Sequence, residues 1–297
     1  MSNKPEIKKL IMKKNKNTKN LLSIDLESWV FSSRINSCNH SIDKLRKLDN
    51  RYLPRVLGHL LKILRKNDQK ITFFVLGKLE DLYPGTINQI LSEGHEVGWH
   101  GHTHAFLLSE ETLKEELRLS RKIISKYKMK GFQAPAVMFF REGYKILKEH
   151  GFEYSSSIYG NSNNIIKIDG VYELPISASN KKNKLKANKI CFPANMTFRN
   201  ISKFGLPYGS SYFWGILGKQ FYNIILKRAK QNNEVINMFV HDWQIINPKS
   251  KEYKKDVDPI KHPLFLPYRI NLSDVFEHFL KNHKFVRFNE FLNNEKK

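Results

Sequence analysis

Apolar positions along the chain repeat with two periods, and their alternation predicts a regular order of strands and helices. Short apolar runs bounded by turn residues are typical of buried strands, whereas apolar residues three or four apart are typical of helices. The predicted strands are Leu21–Ile24, Lys70–Leu76, His95–His100, Gly131–Pro135, Tyr154–Ile158, Val171–Pro175 and Glu234–Val240. The predicted helices are Leu53–Leu64, Thr86–Ser92, Glu110–Tyr127, Glu142–His150, Tyr212–Lys230 and Leu272–Asn282, before an extended segment Lys284–Phe288. This order predicts an α/β fold with a parallel sheet, open or closed into a barrel.

The chain length and composition favour one folded domain. Its 297 residues are 40% hydrophobic, which is enough for a sizeable core. Residues 1–19 are basic and lack the apolar stretch of a secretory signal, so we expect a flexible lead followed by one domain over 20–297. Cys38 and Cys191 are too few and too far apart for a disulfide framework or a thiolate metal site. Charges interrupt every apolar run, so we expect no transmembrane segment and a cytoplasmic location.

The formal net charge of +23 adds a question about partners. The lysines are spread over the whole chain, as in Lys181–Lys184 and Lys251–Lys255, which favours a solvated basic surface. The alternative is attraction to anionic glycans or membrane lipids, with the inner membrane face as the predicted peripheral site. No nucleic-acid-binding motif accompanies the charge, so nucleic acid is not an expected partner.

Chemically useful side chains follow three predicted strands. Asp25 and Glu27 are two apart in an extended segment and therefore share a face, which suits one carboxylate for a cation and one for a base. His100 and His104 are four apart, which brings their imidazoles together if the segment turns helically. Two histidines and one carboxylate form a common catalytic zinc site. The third strand ends at His241, which is placed to protonate a leaving group.

For each group a plainer interpretation stays open at this point. Asp25 and Glu27 could cap a helix or form a surface pair, and His241 could be a core histidine with its hydrogen bonds satisfied. We expect packing or supporting roles for the two other histidines of the second segment, His95 and His102.

Taken together, these segments resemble the motifs of the NodB-homology polysaccharide deacetylases, with closest likeness to the subgroup found with bacterial exopolysaccharide gene clusters. The resemblance implies a distorted (β/α) barrel with a C-terminal helix-strand extension. It implies Asp25 as base, His241 as general acid, and Glu27, His100 and His104 as ligands of a divalent metal, most simply Zn²⁺. Gln133-Ala134-Pro135 corresponds to the family's Arg-x-Pro segment, so Gln133 stands where the family has an arginine that orients the base. Further residues assigned to substrate binding or orientation are Pro135, Ala136, Trp99, Tyr212, Asp242 and Trp243.

The implied reaction is removal of an N-acetyl group from an N-acetylated sugar or glycan. The cation activates water, Asp25 takes its proton, a backbone N–H near Ala136 steadies the oxyanion, and His241, helped by Asp242 or another acid, protonates the amine. Two alternatives remain at this stage: an amidohydrolase of the same fold that opens cyclic imides or ureides, and a catalytically silent carbohydrate-binding homologue. Gln133 brings no positive charge to the base, which is what makes the silent alternative thinkable.

Overall fold

A computed structural model describes residues 7–9, 20–31, 40–179, 201–202, 205–256, 258, 260 and 263–296. Most of the basic lead, both cysteines and Lys181–Lys184 lie outside these residues, so the predictions that concern them are not addressed by the structure. Three residues of the lead, Ile7–Lys9, form a strand that pairs with Ile166–Ile168. The proposed boundary between lead and domain stays a prediction.

The described chain alternates strands and helices as the periodicity predicts. The strands are β1 (Ile7–Lys9), β2 (Asn20–Leu26), β3 (Thr72–Val75), β4 (Glu96–Trp99), β5 (Gly131–Phe132), β6 (Tyr154–Ser155), β7 (Tyr159–Gly160), β8 (Ile166–Ile168), β9 (Val171–Glu173), β10 (Ile176–Ser177), β11 (Asn237–His241) and β12 (Phe285–Val286). The α-helices are α1 (Ile42–Asp49), α2 (Tyr52–Lys66), α3 (Gly77–Leu82), α4 (Thr86–Ser92), α5 (Glu110–Tyr127), α6 (Gly143–Glu149), α7 (Tyr212–Asn232), α8 (Asp242–Ile245), α9 (Lys251–Asp256), α10 (Ser273–Asn282) and α11 (Phe288–Lys296). Short 3₁₀ turns cover Trp29–Phe31, Pro135–Val137 and Pro263–Arg269.

Ten of these strands form one curled sheet in the order β1-β8-β9-β6-β5-β4-β3-β2-β11, with β12 also paired to β2. The run from β9 through β6, β5, β4, β3 and β2 to β11 is parallel, and only β8 and β1 are antiparallel to their neighbours. The α/β class and the distorted (β/α) barrel are therefore confirmed. Parallel strands carry their chemistry at their carboxyl ends, which here meet along one rim of the barrel.

The sequence patterns missed several short helices and the last one. The patterns predicted no helix for α1, α3, α8 or α11, because the first three are at most eight residues long and the last follows a strand directly. Helix α7 extends over the predicted segment but is interrupted at Gly218, whose φ is 69°. Among the described helices, none combines the length and hydropathy that a membrane crossing requires.

The C-terminal region closes the opposite, amino-terminal end of the barrel. Strand β12 pairs in parallel with Asn20 and Leu21 at the start of β2. The side chain of Gln69 donates to the carbonyls of Leu280 and His283. The Oγ1 of Thr72 accepts from the backbone N–H of Phe288, at 3.0 Å. The chemical rim and this closure therefore lie at opposite ends of the same strands.

Candidate active site

Strands β11, β2 and β4, with β3 between the last two, bring the predicted site residues together at the carboxyl rim. Strand β2 lies between β3 and β11, and His241 is in register with Asp25 across the β2–β11 pair. His100 follows β4, the strand beyond β3, and its N–H donates to the carbonyl of Val75. Asp25, Glu27 and His100 are 1–2% exposed, so the site is a buried group of ionisable side chains and not a surface pair.

The carboxylate of Glu27 lies at the centre of the site. Its Oε1 is 3.0 Å from His100 Nε2, 3.2 Å from His104 Nε2 and 3.6 Å from His241 Nε2. Its Oε2 accepts a hydrogen bond of 3.2 Å from the indole N–H of Trp243. Tetrahedral zinc ligands at ~2.0–2.2 Å from the metal are about 3.4 Å from one another. The spacing of Glu27, His100 and His104 therefore fits a shared cation.

The ring of His100 is fixed in the tautomer that a ligand needs. Its Nδ1 is 2.8 Å from the backbone carbonyl oxygen of Gln133. Because a carbonyl oxygen only accepts, Nδ1 carries a proton, and Nε2 is the nitrogen that faces Glu27 and could bind a cation. The segment after β5, which carries Gln133, thus determines which nitrogen of His100 is available.

The loop after β4 reaches the site by a route that the sequence did not predict. The expected helical turn between His100 and His104 is absent, because Gly101 and His104 have φ values of 87° and 69°. The carboxylate of Glu116 on α5 holds the loop by accepting from the N–H groups of His102 and Thr103, at 2.6 and 2.8 Å. A third bond of 2.7 Å comes from the hydroxyl of Thr103. His100 and His104 still meet, with ring centroids 5.6 Å apart.

Asp25 is held by a neutral partner in the position where the resemblance leads us to expect an arginine. The amide nitrogen of Gln133 donates to Asp25 Oδ2 at 3.2 Å, and Ser23 Oγ lies 3.5 Å from the amide oxygen of Gln133. Asp25 Oδ1 is buried and has no hydrogen-bond partner in the described part of the chain. Burial, with added repulsion from Glu27 and Asp242, raises the pKa of the Asp25 carboxyl well above its usual value.

Glu27 and the two histidines have mutually dependent pKa values. Burial alone would raise the pKa of Glu27, but His104, His241 and the hydrogen bonds from His100 and His104 hold it well below its usual value. Burial lowers the pKa of His100. For His104 burial also acts downwards, but the nearby Glu27 carboxylate outweighs it, and the net pKa is raised. Glu27 is therefore ionised, as a cation ligand must be.

His241 is oriented by residues that the sequence patterns did not single out. Its Nδ1 lies 2.6 Å from Gln244 Oε1, and Ser211 Oγ donates to the same oxygen at 2.5 Å. The imidazole stacks on the indole of Trp243, with ring centroids 4.6 Å apart and an interplanar angle of 22°. The His241 side chain also accepts from the backbone N–H of Gln244 at the start of α8, so Gln244 fixes the ring on its Nδ1 side and Nε2 faces Glu27. The spacing of three residues between His241 and Gln244 was the one feature of the sequence that could have indicated this contact.

Asp242 supports the backbone at Glu27 and does not contact the His241 ring. Its Oδ1 accepts from the N–H groups of Glu27 and Ser28, at 3.0 and 3.2 Å. The expectation that Asp242 assists His241 is therefore corrected in favour of Gln244, because Asp242 Oδ1 binds the N–H groups of Glu27 and Ser28 while Gln244 Oε1 lies against the His241 ring. Burial raises the pKa of Asp242 to about 8.

The remaining predicted residues divide into rim and core. Tyr212 is half-buried and contacts the ring of Tyr268, which in turn contacts His241 and Trp243. The prediction for Trp99 needs correction: this side chain is fully buried, donates to Ser120 Oγ at 2.9 Å and packs on Phe132, because strand alternation turns it inward.

The segment after β5 and the two other histidines are the last of the predicted residues. Pro135 is buried against Gly101, whereas Ala136 is exposed with a φ of 52°. His95 Nδ1 accepts from the N–H of Ile71 at 3.2 Å, and His102 Nδ1 lies 3.3 Å from Ser120 Oγ. His102 thus packs beside the site, whereas His95 packs at the opposite, amino-terminal end of β3 and β4.

The comparisons with known proteins agree with the fold. Residues 47–155 match the family model described as polysaccharide deacetylase. A peptidoglycan-N-acetylglucosamine deacetylase of Bacillus cereus is 30% identical over 109 residues, which are 35% of this chain and 49% of that protein. A second B. cereus protein of the same description is 22% identical over 192 residues, 63% of this chain and 64% of that protein.

The solved structures extend the likeness to nearly the whole chain. A crystal structure from Mycobacterium smegmatis, described as a candidate polysaccharide deacetylase, superposes with a TM-score of 0.59 at 15% identity. The match covers 98% of this chain and 95% of that one, which shows a shared fold. The chain spans about half the length of the first curated relative. From the family model, the curated relatives and the shared fold together, we conclude that this chain carries a polysaccharide deacetylase domain of the NodB-homology type.

Proposed function

We propose that the chain is a metal-dependent hydrolase that removes the N-acetyl group from an N-acetylated sugar or glycan. The observation that carries this proposal is the convergence of His100 Nε2 and His104 Nε2 on one oxygen of Glu27, beside a buried Asp25. That arrangement combines a cation site with a base. The opening of cyclic imides or ureides, which we expected to need no histidine pair, is not favoured by it.

The cation would be held by Glu27, His100 and His104, whose ligand atoms lie within 4.8 Å of one another. Mixed imidazole and carboxylate donors suit zinc among the available divalent metals. When bound there, the cation supplies Lewis acidity towards water and the amide carbonyl. His100 and His104 present Nε2, and Glu27 is held in place by the backbone bonds to Asp242 and by the indole of Trp243.

The chain's own groups then move the protons. Asp25, oriented by the amide of Gln133, accepts a proton from the attacking water. A cation on Glu27 offsets the repulsion between the two carboxylates, which favours the ionised Asp25 that a base requires. His241 donates a proton from Nε2 to the amide nitrogen as the carbon–nitrogen bond breaks. Acetate and the free amino sugar are the products. A backbone N–H near Ala136 remains our proposed donor to the oxyanion.

The rim supplies surfaces for a sugar ring. Tyr212 and Trp243 lie on the His241 side, and their rings are bridged by Tyr268. Two curated relatives are peptidoglycan-N-acetylglucosamine deacetylases, which supports an N-acetylated amino sugar as substrate class. We place the activity in polysaccharide or cell-surface glycan biosynthesis, with the exopolysaccharide role as the narrower proposal. A cytoplasmic site of action with contact to anionic lipid stays a prediction, and failure to pellet with anionic liposomes at low salt would contradict it.

The test combines cation content and acetate release on the purified chain, with short N-acetylated glycans and nucleotide-linked N-acetyl sugars as substrates. Wild type is compared with His100→Ala and Asp25→Asn. We expect His100→Ala to lose both the cation and the activity, and Asp25→Asn to keep the cation and lose the activity. His102→Asn is the matched control, because His102 lies in the same loop but contacts Ser120 and Asp81 instead of Glu27.

Two results of this test would contradict the proposal. A cation that remains in His100→Ala would refute the ligand assignment. A loaded wild-type protein that releases no acetate from any of these sugars would refute the deacetylase proposal and favour a silent carbohydrate-binding role.

A further inference from the structure

The buried rim contains two groups of side chains that could bind a metal ion, and only one of these groups has been given a cation so far. Glu27, His100 and His104 form the first set, and Asp25, Glu27 and His241 form the second. Within each set the ligand atoms lie within 4.8 Å of one another. The two sets share Glu27, whose Oε1 is 3.2 Å from His104 Nε2 on one side and 3.6 Å from His241 Nε2 on the other.

Asp25 has an unused oxygen in this second set. The residue is 2% exposed, and its Oδ1 has no hydrogen-bond partner among the residues that the structure describes. Its other oxygen accepts from the neutral amide of Gln133 and lies 4.0 Å from His100 Nε2. A cation bound beside a buried carboxyl group stabilises its ionised form, so Asp25 is a suitable ligand once a cation is present.

His241 is prepared for the same task. Its Nδ1 lies 2.6 Å from Gln244 Oε1, and Nε2 faces Glu27 at 3.6 Å. An imidazole held through its other nitrogen is the usual form of a metal-ligating histidine. Two carboxylates and one such imidazole match the donor preference of zinc and related cations.

We propose that Asp25, Glu27 and His241 form a second divalent-cation site that overlaps the first through Glu27 and inhibits the enzyme when filled. The inhibition rests on the proposed function, because Asp25 and His241 are the base and the acid of that reaction. Asp25 cannot accept a proton while its lone pairs bind a cation, and His241 cannot donate from a nitrogen that is a ligand. The second site binds more weakly than the first, because the first cation already draws on the charge of the shared Glu27 and repels another cation.

Gln133 gives this inference a specific test. A guanidinium beside Asp25 would place a positive charge next to the second site and repel a cation, whereas the glutamine amide does not. Gln133→Arg should therefore weaken the second site while leaving the first set of ligands in place. Asp25→Asn is the near-isosteric variant that removes a ligand charge without adding bulk.

The experiment counts Zn²⁺ bound to the metal-stripped chain. Equilibrium dialysis with elemental analysis, from substoichiometric to large molar excess, is paired with calorimetric titration. We expect one tight and one weaker equivalent in wild type. In Asp25→Asn and Gln133→Arg we expect the weaker equivalent to lose about tenfold or more in affinity and the tight one to remain. Circular dichroism and thermal melting establish that each variant is folded, and Asp25→Asn decides the question if Gln133→Arg is not.

Two results would overturn the second site. One is saturation of wild type by a single equivalent at all excesses, and the other is a weaker equivalent that Asp25→Asn leaves unchanged. Acetate release, measured over the same titration, should rise to one equivalent and fall with the second. Absence of acetate release at one equivalent would count against the proposed function alone, since the cation count does not depend on turnover.

Discussion

Gln244 holds the proposed general acid through one short hydrogen bond, and its replacement gives the most discriminating prediction. The bond runs from His241 Nδ1 to Gln244 Oε1 at 2.6 Å, and Gln244 is fully buried. Gln244→Met keeps a similar volume but removes the acceptor, so the ring can turn or change tautomer. Gln244→Glu keeps an acceptor in the same place and is the matched variant.

The expected magnitude follows from the single bond that is lost. A hydrogen bond that involves a charged group, as the imidazolium form of a general acid is, contributes about 1.5–3 kcal/mol, and tenfold in rate corresponds to about 1.4 kcal/mol. General acid catalysis as a whole is worth about 10²–10⁴-fold, which sets the upper limit. We therefore expect Gln244→Met to lower kcat for an N-acetyl sugar by about 10- to 100-fold, with little change in KM and with the cation content of wild type.

The assay compares an amide with an activated ester. The amine that leaves an N-acetyl sugar needs a proton, whereas the phenolate that leaves p-nitrophenyl acetate does not. Gln244→Met should therefore lower acetate release from the sugar and leave ester hydrolysis within about twofold of wild type. Equal losses on both substrates would show a general structural defect, and an unchanged kcat on the sugar would refute the positioning role. Gln244→Glu should retain more amide activity than Gln244→Met.

Three further predictions concern Glu116, which holds the loop after β4, and two buried ionisable residues, His95 and Glu173. Glu116→Ala leaves two loop N–H groups without their acceptor and should weaken Zn²⁺ binding about tenfold or more, as measured by competition with a chelating dye; unchanged affinity would contradict this. Burial lowers the pKa of His95 to about 4. As the pH falls from about 6.5 to 4, His95 is protonated in the unfolded chain but stays neutral in the folded chain, so the free energy of unfolding falls by up to about 3 kcal/mol. His95→Asn should remove this pH-dependent loss, as measured by urea unfolding over that range. Burial also raises the pKa of Glu173 to about 7, so the folded chain keeps a proton that the unfolded chain releases as the pH rises from about 4.5. Stability should fall over that interval, and Glu173→Gln should flatten the fall; an identical slope in the variant would contradict the assignment.

The sequence predicted which side chains meet at the carboxyl rim better than it predicted the contacts that hold them there. His100 and His104 do meet, but the loop between them uses left-handed residues and the carboxylate of Glu116 in place of a helical turn. The spacing of four residues between the two histidines was a usable signal in the sequence. The role of Glu116 in holding the loop had no such signal, because no local sequence pattern links a helix residue to a loop twelve or more positions earlier. The parallel α/β sheet followed from the alternation of apolar periods, whereas its closure into a distorted barrel was implied by the family resemblance.

The predictions for Trp99 and Asp242 were wrong in detail for a related reason. Residue type showed that both could serve a site, but only the three-dimensional packing shows which way a side chain faces. Trp99 is turned inward by the alternation of β4, and Asp242 is drawn to the N–H groups of Glu27 and Ser28. The nearest acceptor to the His241 Nδ1 is instead Gln244 Oε1, at 2.6 Å.

The closure at the amino-terminal end of the barrel has a consequence for how the chain folds. The side chain of Gln69 donates to the carbonyls of Leu280 and His283 and accepts from the N–H of Phe285, and Thr72 accepts from the N–H of Phe288. These hydrogen bonds join residues that are 211–216 positions apart in the chain. Contacts of such separation carry a large loop-closure entropy and form late. During synthesis, the amino-terminal ends of β2 and β3 therefore stay exposed until β12 and α11 have been synthesised and have packed against them. We expect that exposed end to be where chaperones bind the nascent chain, and where aggregation begins if the last helix is delayed.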